Sequence, residues 1–164
     1  MIAALLDADI DALAYLGLGV SAPAVANALS RRAWRGHRVM NTAGIRGYAP
    51  AFAQAVDGWV YMDLFSDRNA TLAAFYPRVS AIARNRLAAA KGYDLARLVA
   101  EGIARAPELT RDGVKAGLES VKWLPAAQGC DGTLLGFGKF DRGALHGRYL
   151  VLRQWCDGHS VEVE

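Results

Sequence analysis

Residues 12–22 read ALAYLGLGVSA, and this stretch decides the class of fold. Its first five residues form an apolar run that ends at a glycine, which is typical of a buried parallel strand. Ser21 then has the residue type of a helix N-cap, and Pro23 falls in the first turn that would follow. The stretch therefore predicts a strand that passes through a short turn directly into a helix.

The same alternation continues along the chain. Patterning predicts strands near 12–16, 38–41 and 58–63, with one helix from Ser21 to Arg32 and a shorter one from Tyr48 to Val56. Strands that alternate with helices build a parallel sheet through right-handed crossovers. The first third of the chain is therefore predicted to be α/β.

The pattern changes after the third strand. We expect a long helix capped by Ser66 or Asp67, followed by helices near 86–106 and 110–121. These helices are amphipathic and have no strands between them, so their apolar faces must cover some other surface. Near the end, Asp157-Gly158 separates two β-rich runs, and this dipeptide is a strong signal for a two-residue hairpin.

Composition limits the classes of function. The chain has 164 residues, which is enough for one sizeable core, and its net charge of +3 is spread along the sequence. No apolar run reaches the roughly 18 residues that a membrane span requires. The one basic cluster, between Arg31 and Arg38, suits a helix C-terminus, and we expect no nucleic-acid partner. The first residues lack a signal-peptide pattern, which taken alone favours a cytoplasmic protein.

Catalytic and metal-binding patterns are missing from the sequence. His37, His146 and His159 lie apart from any serine or cysteine nucleophile motif, and there is no G-x-S-x-G, H-E-x-x-H or Walker loop. Cys130 and Cys156 lack metal-ligand spacing, and the sequence leaves open whether they pair. We therefore predict that the chain is no enzyme and uses no metal and no cofactor.

One motif offers an alternative. Gly17 and Gly19 belong to a G-x-G-x-x-A pattern between a strand and a helix, which is the context of a dinucleotide-binding turn. Such folds place an acidic residue about 20 positions later, whereas the next strand here ends in Asn41. A Rossmann-like nucleotide-binding enzyme domain remains the alternative. The preferred interpretation is a glycine-permitted turn whose backbone N–H groups face another ligand.

Three features of the second half carry a family resemblance. They are the GYD at 92–94 that opens an aliphatic helix, the glycine-punctuated turn at 129–141, and the late strand that ends in Asp157-Gly158. In this order they resemble the C-terminal half of substrate-binding proteins of ABC importers, in the leucine/isoleucine/valine-binding, or type I periplasmic binding protein, family. The resemblance covers most of the chain from Asp9 onward.

The resemblance implies a type I periplasmic-binding-protein-like α/β fold: a parallel sheet, flanking helices and a C-terminal hairpin. Such proteins are about twice as long as this chain, which would lack most of the first lobe. It implies that residues 1–65 belong to the second lobe, that 66–141 belong to the first, and that 142–164 return to the second.

The resemblance also implies a function. Family members work in the periplasm or outside the cell, where they trap a small molecule between two lobes and deliver it to an ABC permease without making or breaking a bond. The partners implied are a small-molecule ligand, the permease and the missing N-terminal lobe. A non-functional remnant of a truncated gene is a further alternative.

The ligand-binding positions are inferred from the resemblance as well. Relatives that accept amino acids hold the ligand ammonium with a carboxylate where this chain has Ala43, and an unpaired buried charge is costly. We therefore expect a small organic acid or amide in preference to a branched-chain amino acid. The expected ligand-binding residues are Leu18, Gly19, Asn41, Thr42, Ala43 and Ala88.

Overall fold

The computed structural model describes residues 4, 5, 7, 9–83 and 85–163, and at Tyr48 it describes the backbone alone. The chain divides into two compact units. Unit 1 comprises Met1–Asp63 and Leu152–Glu164, and unit 2 comprises Leu64–Val151. The lobe assignments that the resemblance implies for these segments remain predictions.

Fifteen helices and strands follow one another in the described part of the chain. In order they are β1 (Ala12–Tyr15), α1 (Ala22–Arg31), β2 (His37–Met40), a 3₁₀ helix (Thr42–Tyr48), α2 (Pro50–Ala55), β3 (Val60–Asp63), α3 (Ala70–Phe75), a 3₁₀ turn (Tyr76–Arg78), α4 (Arg86–Ala104), α5 (Arg111–Ser120), β4 (Leu124–Pro125), β5 (Leu134–Leu135), β6 (Leu145–His146), β7 (Val151–Cys156) and β8 (His159–Glu162).

Unit 1 is built on a five-stranded sheet in the order β1-β2-β3-β7-β8. β1, β2 and β3 are parallel, and β8 runs antiparallel to β7. Asp157 and Gly158 both have positive φ, 50° and 78°, as the predicted two-residue hairpin requires. The predicted α/β fold with a mostly parallel sheet and a C-terminal hairpin is confirmed.

Aromatic side chains from distant strands form the core of unit 1. Trp59, Tyr61 and Trp155 are each at most 2% exposed, and Leu29 of α1 and Val56 are buried in the same cluster. The strands are only four to six residues long. These large rings each bury a large apolar area on a short sheet.

The first helix of unit 2 differs from the prediction. It begins at Ala70 and is capped by Asn69, whose side-chain oxygen accepts the N–H of Leu72 at 2.9 Å. The predicted cap at Ser66 or Asp67 was therefore wrong. The helix also ends after six residues, because the chain passes into a 3₁₀ turn that contains Pro77, a residue with no N–H to donate.

The next two helices match their predicted positions. Thr110 caps α5 by accepting the N–H of Gly113 at 3.1 Å. α4 and α5 can pack closely because Gly117 has no side chain. A Cβ at this position would overlap the carbonyl oxygen of Gly102. Neither these nor the other described helices are long and apolar enough to cross a membrane.

The apolar residues of these helices divide into two groups. Leu72, Phe75 and Leu98 are buried inside unit 2. Three others on α4 are exposed by 43–64% and follow one another at a spacing of four residues; they are Leu95, Val99 and Ile103. The apolar faces of these helices are therefore only partly buried within unit 2.

A small antiparallel sheet in the order β4-β5-β6 was not predicted. The segment that joins β4 to β5 is held from two sides. Asn69 donates from its side-chain amide to the carbonyl oxygens of Ala126 and Gly129, at 3.0 and 3.2 Å. The buried carboxylate of Asp94 on α4 accepts the N–H groups of Ala127 and Gln128, at 2.7 and 3.0 Å. Cys130 lies in this segment, and both Cys130 and Cys156 are free thiols.

Tyr61 gives unit 1 a pH-dependent stability. Burial raises the pKa of Tyr61 from 10.0 to about 12, and its hydroxyl lies 2.6 Å from that of Ser160. The unfolded chain loses this proton near pH 10 and the folded chain near pH 12. The contribution of Tyr61 to the free energy of unfolding is therefore fully present below pH 10. It falls by about 2–3 kcal/mol as the pH rises through 12.

We expect the free energy of unfolding, measured in urea from pH 9 to 12, to fall more steeply for the wild type than for Tyr61→Phe. The other tyrosines and the lysines are common to both chains and cancel in the comparison. Parallel curves would mean that Tyr61 ionises at the same pH in the folded and unfolded states.

Candidate functional site

A cleft of about 460 Å³ lies where β1 and β2 end. The two strands are parallel, with Tyr15 opposite Met40, and the N–H of Asn41 donates to the carbonyl oxygen of Tyr15 at 3.2 Å. The loops after both strands are therefore adjacent, as expected at the carboxyl edge of a parallel sheet, where such folds bind ligands. The residues that line the cleft are Gly17, Leu18, Asn41, Thr42, Ala43, Ile45 and Arg46.

The turn between β1 and α1 is held by the phenol of Tyr15. Its hydroxyl oxygen accepts the N–H of Gly19 at 3.2 Å and lies 3.0 Å from the hydroxyl of Ser21. Ser21 occupies the N-cap position of α1, but its side chain makes no capping hydrogen bond. The predicted N-cap position of Ser21 is therefore confirmed, but its hydroxyl is directed to Tyr15 and does not cap the helix.

The phenol of Tyr15 also weakens the alternative of a nucleotide-binding turn. A dinucleotide turn uses backbone N–H groups to hold a pyrophosphate at the start of the helix. The N–H of Gly19 already donates to Tyr15 within the chain. The observed turn therefore lacks one of the free donors that the glycine motif suggested, although the glycines still leave the approach to the backbone open.

The second loop is the 3₁₀ helix, Thr42–Tyr48, which begins where Asn41 accepts the N–H of Ala43 at 3.2 Å. A 3₁₀ helix has three residues per turn, so residues three apart share a face. Gly44 and Gly47 therefore lie on one face, and Ala43 and Arg46 on another. The first face is turned towards the core, and the second lines the cleft.

The glycine face rests on two stacked rings. Tyr61 and Trp155 have ring centroids 5.7 Å apart and planes inclined by 7°. A Cβ at Gly44 would overlap Tyr61, and a Cβ at Gly47 would overlap the indole of Trp155. The indole N–H also donates to the carbonyl oxygen of Gly44 at 2.8 Å. These contacts fix the orientation of the 3₁₀ helix.

Arg46 is the functional candidate that sequence reasoning missed. Its side chain runs beside Gly19, since a Cβ built on Gly19 would lie 2.6 Å from the Cδ and 3.2 Å from the Nε of Arg46. Among the residues described along this cleft, Arg46 carries the only formal charge. The spacing of Gly44 and Gly47 was the available signal, but it is informative only once the segment is known to be a 3₁₀ helix.

The structure brings together five of the six predicted ligand-binding residues: Leu18, Gly19, Asn41, Thr42 and Ala43. They differ in accessibility, because Leu18 is 83% exposed whereas Ala43 is 6% exposed. Ala88 lies in the first turn of α4, in unit 2, where its N–H donates to Asn85 at 2.9 Å. That these six residues contact a ligand remains a prediction.

Comparison with solved structures identifies the fold. A leucine-binding protein from Thermotoga maritima matches 99% of this chain with a TM-score of 0.80 at 13% identity. A branched-chain amino acid transporter substrate-binding protein from Streptococcus pneumoniae, solved with isoleucine, matches the same share with a TM-score of 0.76 at 17% identity. A type 1 periplasmic binding protein from Bordetella pertussis matches with a TM-score of 0.76 at 18% identity.

These matches show that the chain has the fold of type I periplasmic binding proteins and resembles about half of one. The chain covers 46%, 47% and 48% of the three solved structures, respectively, as expected for a resemblance to their C-terminal halves. No family model matches the chain, and a search of curated proteins finds no match. Within the described residues, no group of three or more histidine, cysteine, aspartate or glutamate side chains could hold a metal ion.

We expect Gly47→Ala to destabilise unit 1 by about 1–3 kcal/mol, the usual cost of overpacking a rigid core. The added methyl would meet the buried indole of Trp155 and push the 3₁₀ helix away. Gly92→Ala is the matched control, because nothing lies within 4 Å of its Cβ position on α4, and it should stabilise by up to about 1 kcal/mol. Urea unfolding followed by tryptophan fluorescence measures both, and equal changes would contradict the packing described.

Proposed function

We propose that this chain is a solute-binding unit that holds a small organic molecule in the cleft of unit 1 without catalysing a reaction. In this proposal it forms the C-terminal part of a longer binding protein of an ABC importer. The other half of the ligand site would come from an N-terminal lobe. The loaded protein would then deliver the solute to a membrane permease from the periplasm or the cell exterior.

The cleft at the ends of β1 and β2 is the observation that carries this proposal. It combines an apolar side chain, Leu18, with amide and hydroxyl groups from Asn41 and Thr42. Concave sites of this kind, mainly apolar with a few convergent polar groups, suit small organic ligands. The match to solute-binding proteins over almost the whole chain supports the same role.

The nature of the cleft favours organic acids and amides over amino acids. An amino acid carries an ammonium that needs an anionic partner when it is enclosed. The sequence has no aspartate or glutamate between Asp11 and Asp57, and the cleft residues fall inside that window. Ala43 stands where a carboxylate would be needed, so branched-chain amino acids are the less favoured ligands.

The proposal is tested by titrating the isotopically labelled chain with leucine, isoleucine, aliphatic and aromatic acids, their amides, and NAD or NADP. Backbone amide shifts in NMR spectra detect binding even at millimolar affinity. We expect an acid or an amide to shift the amides of residues 17–19 and 41–44. Gly19→Val should abolish these shifts, since its φ of 83° disfavours a branched residue and the side chain would fill the cleft.

Arg35→Ala is the matched control, because Arg35 lines a different cleft with Trp34 and Arg38. It should leave the titration unchanged. Equal losses of binding in the two variants would show that the proposed location of the site at this edge of the sheet is wrong. Binding of NAD alone would support the nucleotide alternative, and tight binding of leucine alone would refute the preference for acids and amides.

A further inference from the structure

We infer that the ligand is an organic anion and that Arg46 binds its carboxylate. The inference rests on the proposed function, since it identifies the charge of the molecule held in the same cleft. Arg46 belongs to neither the turn motif nor the positions suggested by the family resemblance. Its role follows from the position of the 3₁₀ helix.

The geometry presents the guanidinium to the cleft. Arg46 shares a face of the 3₁₀ helix with Ala43, and both lie against the position that a side chain at Gly19 would fill. Because Gly19 has no side chain, the stem of Arg46 runs beside the β1–α1 turn. Arg46 is exposed to solvent and lines the open cleft.

The guanidinium is available to a ligand. Arginine stays protonated in proteins, and within the described part of the chain the side chain of Arg46 makes no ion pair. Four further arginines fall in the acid-free window between Asp11 and Asp57; they are Arg31, Arg32, Arg35 and Arg38. Arg46 is the member of this group that lines the candidate site.

A carboxylate fits the guanidinium better than a spherical anion does, and the apolar wall of the cleft favours an organic anion over inorganic phosphate. The guanidinium is planar and offers two parallel N–H donors that match the two oxygens of a carboxylate. The side-chain amide of Asn41 and the hydroxyl of Thr42 line the same cleft and can contact other polar groups. Leu18 supplies the apolar wall for the remainder of the molecule.

The test uses pairs of acids and amides that have nearly the same shape. The labelled chain is titrated with 4-methylpentanoate and 4-methylpentanamide, with benzoate and benzamide, and with inorganic phosphate, all at constant ionic strength. We expect one acid at least to shift the amides near residues 17–19 and 41–44. Its Kd should be roughly three- to fivefold lower than that of its amide, the advantage expected from an exposed ion pair.

The Arg46→Gln variant should bring the acid and its amide to the same affinity. The Arg35→Gln variant should keep the difference, because Arg35 lines another cleft. Arg46→Lys should restore part of the preference, since it keeps the charge and loses the paired donors. Amide spectra outside the cleft serve to show that each variant is folded.

Four outcomes would overturn the inference. If an acid and its amide bind this cleft equally well, the cleft binds solutes but Arg46 does not select them. If phosphate binds with the same affinity as the acids, the cleft recognises negative charge and does not select a carboxylate. Shifts confined to the surroundings of Arg35 and Arg38 would move the anion site elsewhere. If no compound shifts the cleft amides, both this inference and the proposed function fail for this chain.

Discussion

The contact on which unit 1 depends is that of Trp155 with the 3₁₀ helix. Trp155 lies 111 residues beyond Gly44, yet its indole N–H donates to that carbonyl oxygen at 2.8 Å and its ring occupies the space left by Gly47. The loop that forms half of the candidate cleft is therefore fixed by the last strands of the chain. Without β7, the loop would lose its support, and the direction of Arg46 would no longer be defined.

Unit 2 uses a different principle, because hydrogen bonds from buried side chains hold its irregular backbone. Asn69 binds carbonyl oxygens of the segment between β4 and β5, and Asp94 binds N–H groups of the same segment. Each buried backbone group needs a partner, and short strands of two residues leave many such groups without one. Two polar side chains thus replace the ladder that a longer sheet would provide.

The sequence predicted the features that depend on local interactions and missed those that depend on distant residues. The apolar runs, the helix cap at Thr110 and the hairpin at Asp157-Gly158 depend on neighbours within a few residues, and all of them were predictable. The cap at Asn69 was not, because long-range bonds to residues 126 and 129 select it over Ser66 and Asp67. β4, β5 and β6 are too short for periodicity to show.

The candidate site shows the same division and explains why its charged residue was missed. The glycine motif drew attention to the backbone of the β1–α1 turn, where Tyr15 in fact accepts the N–H of Gly19. The absence of a side chain at Gly19 matters instead for the space it leaves beside Arg46. A glycine motif usually suggests recognition by the backbone. Here it creates room for a side chain from the neighbouring loop, so selectivity by charge would reside in Arg46.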